Sequence, residues 1–280
     1  MKKIAVLSGK GGTGKTTLAT NLFITMGKGV LIDADVEEPN SHLFLKPNIQ
    51  DTKVVKKKYP NVDQEKCNLC GACGDFCRYN AILPAKNKVL VFKELCHDCG
   101  GCQLVCQQNA ITYKERAIGK ISTGQLSNGL TMHYGDLTVG EVSGVPIIEQ
   151  LHRMVEKEDW VWIDSPPGTS CTTVAALEGV DFALIVAEPT PFGLSDMKMV
   201  VELLEERNID MAVVVNKAGL GDQELHDFCA TKRIDVLAEI PFQKDYAAHY
   251  ASGELLSVQF PEYKKIMEQI LDRLLKKVGN

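Results

Sequence analysis

Short apolar runs alternate with amphipathic stretches along most of the 280 residues. The runs are KIAVLS (3–8), VLIDAD (30–35), WVWIDSPPG (160–168), FALIVAEP (182–189), MAVVVNK (211–217) and VLAEIPF (236–242). Each opens on a short, almost unbroken hydrophobic segment, the pattern of a strand buried on both faces of a parallel sheet. Between them LATNLFITM, SDMKMVVELLEER (195–207) and DQELHDFCATKR (222–233) repeat apolar residues at spacings of three and four, which predicts helices. The alternation predicts an α/β fold with a doubly wound, mostly parallel sheet covered by helices. Between 118 and 140 a short hairpin is expected, with Asn128-Gly129 at its turn. In the last helical stretch Ile266, Met267, Ile270, Leu271, Leu274 and Leu275 share a face. Its charges are mixed rather than a basic stripe, so the face is expected to pack on the core rather than lie on a membrane. No apolar span of about 18 residues exists, so no transmembrane helix is predicted.

The loop after the first strand brings in chemistry. Gly9-Lys10-Gly11-Gly12-Thr13-Gly14-Lys15-Thr16-Thr17 lies between a strand and a helix, the setting of a phosphate-binding loop. Its glycines let backbone N–H groups turn inward around phosphate oxygens, and the helix N-terminus adds a favourable dipole. Residues 11–17 (Gly11, Gly12, Thr13, Gly14, Lys15, Thr16, Thr17) are therefore the candidate ATP-binding set. Lys15 would reach the β- and γ-phosphates and Thr16 would put its hydroxyl on Mg²⁺. Asp33 and Asp35 end the second run and Asp164 ends the third, at the carboxyl edge where open α/β sheets bind ligands. One such aspartate could be a helix cap; two runs that end this way behind a phosphate loop fit metal and water positioning better.

GKGGTGKTT, with a lysine just after its first glycine, resembles the deviant loop of the MinD/ParA/NifH group of P-loop ATPases. DADVEEPN, IDSPPGTSC and AEPTPFGLSDMK look like that superfamily too, so the resemblance spans essentially the whole chain. It implies an ATP-dependent homodimer in which Lys10 reaches the partner's nucleotide. It implies that Asp35 orients the attacking water in switch I, that Asp33 lies near the metal, and that Asp164 holds Mg²⁺ through water. Gly168 would sense the γ-phosphate in switch II, and Asn216 matches the position that reads adenine. Lys10, Lys15, Asp35 and Asp164 are then the catalytic candidates, and Thr16, Asp33 and Asp164 the Mg²⁺ candidates. MinD itself ends in a membrane-binding helix, the alternative reading of the C-terminal stretch.

Eight of the ten cysteines repeat one spacing. Cys67, Cys70, Cys73 and Cys77 read C-x₂-C-x₂-C-x₃-C, and Cys96, Cys99, Cys102 and Cys106 repeat it 29 residues on, with matching flanks (CNLCGACGDFCRYNAI, CHDCGGCQLVCQQNAI). This run resembles bacterial two-cluster ferredoxins, which hold two [4Fe–4S] cubanes. Three thiolates on a tight turn reach one cube and the fourth reaches the other. The resemblance therefore implies Cys67, Cys70, Cys73 and Cys106 on one cluster, and Cys77, Cys96, Cys99 and Cys102 on the second. Zinc would want C-x₂-C pairs further apart, and disulfides do not suit a chain with no secretory signal. Arg78 and Gln107 stand where a proline usually follows the fourth cysteine; no ligand is lost by that.

Together these readings describe a P-loop ATPase domain, 1–59 and 117–280, interrupted by a small α+β ferredoxin-like domain at 60–116. Lys53 to Lys58 and KERAIGK mark its two boundaries. So small a unit buries little core, so clusters would staple it. Net charge −5 argues against nucleic acid as a partner, and reduced thiols imply cytoplasm. Cys171 lies seven residues after Asp164, where nitrogenase iron protein carries a cluster ligand; the other reading is a free thiol at a helix N-terminus. Cys229 reads as core. Three functions fit: an ATP-hydrolysing switch passing electrons to a redox partner, an iron–sulfur cluster carrier resembling the Mrp/Nbp35 proteins, or a positioning ATPase with redox-sensing clusters. Complete cysteine sets favour stable clusters, hence the first or third.

Overall fold

A computed structural model describes residues 1–221 and 223–279. The strands are β1 (Lys2–Leu7), β2 (Val30–Asp33), β3 (Asn48–Val62), β4 (Ile82–Pro84), β5 (Val89–Val91), β6 (Ile111–Gln125), β7 (Thr131–Leu137), β8 (Trp160–Asp164), β9 (Phe182–Ala187), β10 (Asp210–Ala218) and β11 (Asp235–Pro241). The helices are α1 (Lys15–Met26), α2 (Ser41–Leu45), α3 (Ala72–Phe76), α4 (Gly101–Leu104), α5 (Val145–Met154), α6 (Cys171–Ala176), α7 (Pro191–Glu206), α8 (Glu224–Lys232), α9 (Lys244–Ala251), α10 (Leu256–Gln259) and α11 (Pro261–Val278). The helix expected over 222–233 is therefore α8, and its first expected residue, Asp222, lies outside the described residues.

One sheet runs β11-β10-β9-β1-β8-β2-β7-β6-β3. From β11 to β7 all pairings are parallel, and β6 and β3 add an antiparallel edge. Each central strand feeds both faces. Ile4 and Val6 of β1 pack into a layer with α1 and α11, while Ala5 and Leu7 pack into one with α5 and α7. That two-sided burial is why these segments read as unbroken apolar runs. β1 sits between β8 and β9, where the strand order reverses, so the loop leaving it opens into the crevice at the carboxyl ends.

α11 packs on α1, α10 and β11, burying Tyr263, Met267, Ile270, Leu271, Leu274 and Val278. Its apolar face is core, as expected. Among the described residues, no helix is long and apolar enough to cross a membrane.

The expected hairpin is present but much longer than its sequence signal. β6 pairs with β7 across a turn at 126–130, where Gly129 takes φ 85°. β6 then continues back through 111–117, and the lysine-rich segment 53–58 pairs with it. β3 and β6 form one antiparallel ribbon from Asn48↔Gln125 to Val62↔Ile111. The charged stretches read as boundary segments are thus paired strands. β7 stops supporting β6 at Gly119↔Leu137, so the ribbon's outer half projects beyond the sheet. A register shift at that point leaves Ile118 without an opposite residue, between Val55↔Gly119 and Lys56↔Ala117. Such a bulge bends the ribbon. Ile118 is fully buried, and its carbonyl accepts from Thr138 N–H at 2.9 Å.

The ribbon ends in the cysteine segments, which carry α3, the small β4–β5 hairpin and α4. The repeat is visible in the backbone. Left-handed φ values recur at equivalent positions: Leu69 and Asp98 (both 56°), Gly71 and Gly100 (89° and 77°), Asn80 and Asn109 (52° and 49°). A separate small cluster of buried side chains, Ile82, Val89, Cys102 and Ile111, is the core of this region.

Candidate functional site

The glycine loop turns from β1 into α1. Gly14 adopts φ 95°, and a β-carbon there would stand 2.3 Å from Asn216 Nδ2. Both facts demand glycine. Asn216 lies near the end of β10 and donates from Nδ2 to the Thr13 carbonyl at 2.7 Å, bracing the loop. Beside them a cavity of about 260 Å³ is lined by Gly12, Gly14 and Asn216 and by the rings of Phe242, Tyr246 and Tyr250.

Three aspartates converge under the loop. Asp33 and Asp164 face each other across the β2–β8 register, and both are fully buried. Lys15 Nζ donates to Asp164 Oδ1 at 2.7 Å and lies 3.8 Å from Asp35 Oδ2. Burial opposes the charge on Lys15, and Asp164 overrides it, so the amine stays protonated well above its ordinary value. Ser41, at the start of α2, donates its hydroxyl to Asp164 Oδ2 at 2.8 Å. The backbone N–H groups of Asp35, Asn40 and Ser41 donate to Asp33. Burial first, then Asp164, pushes the Asp33 carboxyl upward; burial raises Asp35 to about 6 despite Lys15. Three crowded carboxylates served by one lysine lack positive charge. Thr16, the residue after Lys15, is buried at the first turn of α1. The donor chemistry fits a hard divalent cation held by oxygen and water.

Lys10 lies at the loop's rim, 3.3 Å from Glu188, which also binds Lys217 Nζ at 2.5 Å. Burial works against the Glu188 charge, but Lys217 and then Lys10 hold the carboxyl below its usual range. Gly168 N–H donates to the Ser8 carbonyl at 2.9 Å, tying the segment after β8 to the loop's start. Cys171 is exposed at the start of α6, capped by Ser170, whereas Cys229 is buried and its thiol is pushed up to about 11. Ser41, Glu188 and Lys217 escaped the sequence reading. Glu188 had a signal, since it too ends a buried strand at the carboxyl edge.

The cysteine region contains two cavities. One is lined by Cys67, Cys70, Cys73 and Cys106, the other by Cys77, Cys96, Cys99 and Cys102. Among the described residues, no three His, Cys, Asp or Glu side chains are grouped tightly enough to hold a single metal ion. Thiolates disposed about a cube stand further apart than those about one ion. Backbone N–H groups of Asp98 and Ala110 donate to Cys96 and Cys106 Sγ, each at 3.4 Å. Tyr113 Oη lies 3.2 Å from Cys102 Sγ. Burial raises the thiols of Cys73, Cys96 and Cys102. A thiolate there would need compensating positive charge, which iron supplies, and the four-sulfur linings fit such a group. α3 and α4 meet closely: a β-carbon on Gly101 would stand 1.9 Å from the Phe76 ring.

The parallel sheet, the glycine loop at its switch point and the carboxylates beneath it define a P-loop nucleotide-binding α/β protein. Residues 4–256 match the CobQ/CobB/MinD/ParA nucleotide binding domain, and the chain belongs to that family. An uncharacterized protein of Methanocaldococcus jannaschii is 31% identical over 284 residues, covering 98% of both chains. An iron-sulfur cluster carrier protein of Pyrococcus furiosus is 26% identical over 246 residues, covering 85% of this chain and 67% of its own. Among solved structures, the cell division ATPase MinD of Pyrococcus furiosus superposes with a TM-score of 0.60 at 20% identity, covering 98% of each chain. MinD of Pyrococcus horikoshii complexed with Mg-ADP gives 0.61 at 19% identity, covering 99% of this chain and 97% of that one.

Proposed function

We propose that this protein is an ATP-hydrolysing dimeric switch that carries two [4Fe–4S] clusters and passes electrons to a redox partner protein. Family membership supports the nucleotide half. Residues 11–17 would hold the phosphates, with Asn216 at the base and Thr16, Asp33 and Asp164 around Mg²⁺. The Lys15 amine sits on Asp164. Phosphate would draw the lysine away, and the metal would take over neutralising the carboxylates. Asp35, left without Lys15, could then orient a water as a carboxylate. Lys10 would exchange Glu188 for the partner's nucleotide on dimerisation.

The observation that carries the redox half is the sorting of eight cysteines into two four-sulfur cavities, each mixing three residues of one repeat with the last of the other. That crossing supports a ferredoxin-like unit, 60–116, inserted in the ATPase. Bound clusters would supply one-electron chemistry at low potential. The chain's own contribution is to hold them at the tip of the projecting ribbon. Anaerobically purified protein is expected to contain about eight iron and eight sulfide per chain, the sum for two cubanes. Zinc alone after anaerobic preparation would refute the redox half.

The Pyrococcus furiosus relative favours a second reading, a cluster carrier. Incubation with an excess of an apo-ferredoxin separates the two: a carrier hands over its iron, and an electron carrier keeps it.

A further inference from the structure

The two cysteine sites are built as repeats, yet they are not electrostatically equal. Their backbone donors balance, since Asp98 N–H serves Cys96 at one site and Ala110 N–H serves Cys106 at the other. Side chains break the symmetry. Tyr113, seven residues after Cys106, lies with Oη 3.2 Å from Cys102 Sγ. The equivalent position seven residues after Cys77 is Pro84, which has no donor. A ligating cysteine has no proton to give, so that contact is an O–H···S bond with Tyr113 as donor. Lys57 adds a second inequality. It is buried on β3 next to Lys58, whose carbonyl lies 3.8 Å from Cys96 Sγ; burial opposes its charge and Cys96 favours it. Arg116, Glu141 and Asp98 also face Lys57, so the ammonium is set among both signs.

Resting on the two-cluster reading, we infer that Tyr113 and Lys57 are tuning residues that make the site of Cys77, Cys96, Cys99 and Cys102 the easier of the two to reduce. The couple is one electron from a one-electron reductant such as dithionite, with no proton taken up. A hydrogen bond and a cation at the thiolates stabilise the added negative charge, which raises a cluster's potential. This site is also the inner one. Lys58 N–H donates to Asp98 Oδ2 at 2.9 Å, and Cys96 Sγ lies 3.8 Å from the Lys58 carbonyl. The other site begins beyond Val62, where Cys67 N–H donates to the Asp63 carbonyl. The first electron to enter therefore rests at the site nearer the nucleotide domain.

The test is an EPR-monitored redox titration of the full chain, prepared anaerobically, after iron and sulfide have been counted. A count without two clusters defeats the cluster reading itself, whatever Tyr113 does. With two clusters, the wild type is expected to show two separate one-electron waves. Tyr113→Phe should lower only the upper wave, reducing the reduced-to-oxidised ratio at a fixed potential at least threefold, which is about 28 mV at 59 mV per decade. Lys57→Met should lower the same wave, and Lys57→Arg should restore it. Coincident waves in the wild type overturn the inference. So does a Tyr113→Phe variant with full iron whose waves stay in place or move together. If Tyr113→Phe loses iron, Lys57→Met decides by the same criterion.

Discussion

Lys15 does two jobs, and they can be separated. It neutralises the fully buried Asp164 and would also bind phosphate. Removing one partner of a buried pair costs about 3–5 kcal/mol. Lys15→Met should therefore lower the melting temperature of the nucleotide-free protein as well as abolish tight ATP binding. Lys15→Met with Asp164→Asn should recover much of the stability but none of the binding, as read by thermal denaturation and a fluorescent ATP analogue. The raised carboxyls predict a pH dependence. A carboxyl whose folded value exceeds its unfolded one binds protons more tightly in the native state. Native stability on its account is thus greatest below the unfolded value near 4. It declines as pH rises to about 6 for Asp35, and burial moves Asp33 in the same direction. Mg²⁺ and nucleotide favour the ionised forms, so binding near pH 6 should release protons and binding at pH 8 should not. Calorimetry in two buffers of different ionisation enthalpy measures this; equal release at both pH values would refute it. The placement of Lys15 and Asp164 at the carboxyl edge of the sheet was legible from their motifs. Their pairing was not, because 149 positions separate them and only the sheet order makes them neighbours.

At the level of elements, the parallel strands were legible because two-sided burial leaves little room for polar residues. β3 was not, because its lysines hid a two-residue period. Val55 and Lys57 point inward and are buried, while Lys56 and Lys58 point outward and are exposed. A run of like charges read as a domain boundary, yet it is a strand with a buried lysine in it. The length of β6 was missed for a related reason: its outer half, TYKERAI, carries no apolar alternation. The core of the α11 face (Met267, Ile270, Leu271 and Leu274) was legible, and its burial makes a quantitative prediction. Leu274→Ala removes a fully buried side chain between α11 and its neighbours and should cost about 2–5 kcal/mol. Denaturant unfolding measures that; a change within error would mean the helix is held elsewhere.

Across the whole molecule, the nucleotide site and the cysteine region touch a common segment. Leu137 N–H donates to the Val36 carbonyl at 2.8 Å, and Gly144 packs so closely on Val36 that a β-carbon would stand 2.3 Å from it. Val36 follows Asp35, the water-orienting candidate. Between those contacts lies Glu141, paired with Arg116 on the ribbon, and Arg116 stands opposite Lys57. A nucleotide that moved residues 35–36 would thereby pull on the ribbon. Linked sites typically couple by about 1–3 kcal/mol, roughly 40–130 mV for a one-electron couple. On the two-cluster proposal, potentials measured with and without a non-hydrolysed ATP analogue should differ by that much. By reciprocity the analogue should bind the two redox states with affinities that differ by the same free energy. Glu141→Gln should shrink both differences together. Identical potentials and affinities in the wild type would reduce the clusters to a passive relay.

The bulge at Ile118 also bears on ancestry. The chain leaves the sheet at Val55 and returns at Gly119, directly opposite, so everything outward hangs from a single hairpin. A cysteine region carried at the tip of a hairpin disturbs no other strand, so on the proposal of an inserted unit a single insertion would suffice to install it. The region should then be removable by design. Replacing residues 58–115 with Asn-Gly closes Lys57↔Arg116 by a two-residue turn and keeps Arg116 beside Glu141. The shortened protein is expected to fold, to bind nucleotide as the full chain does, and to be colourless.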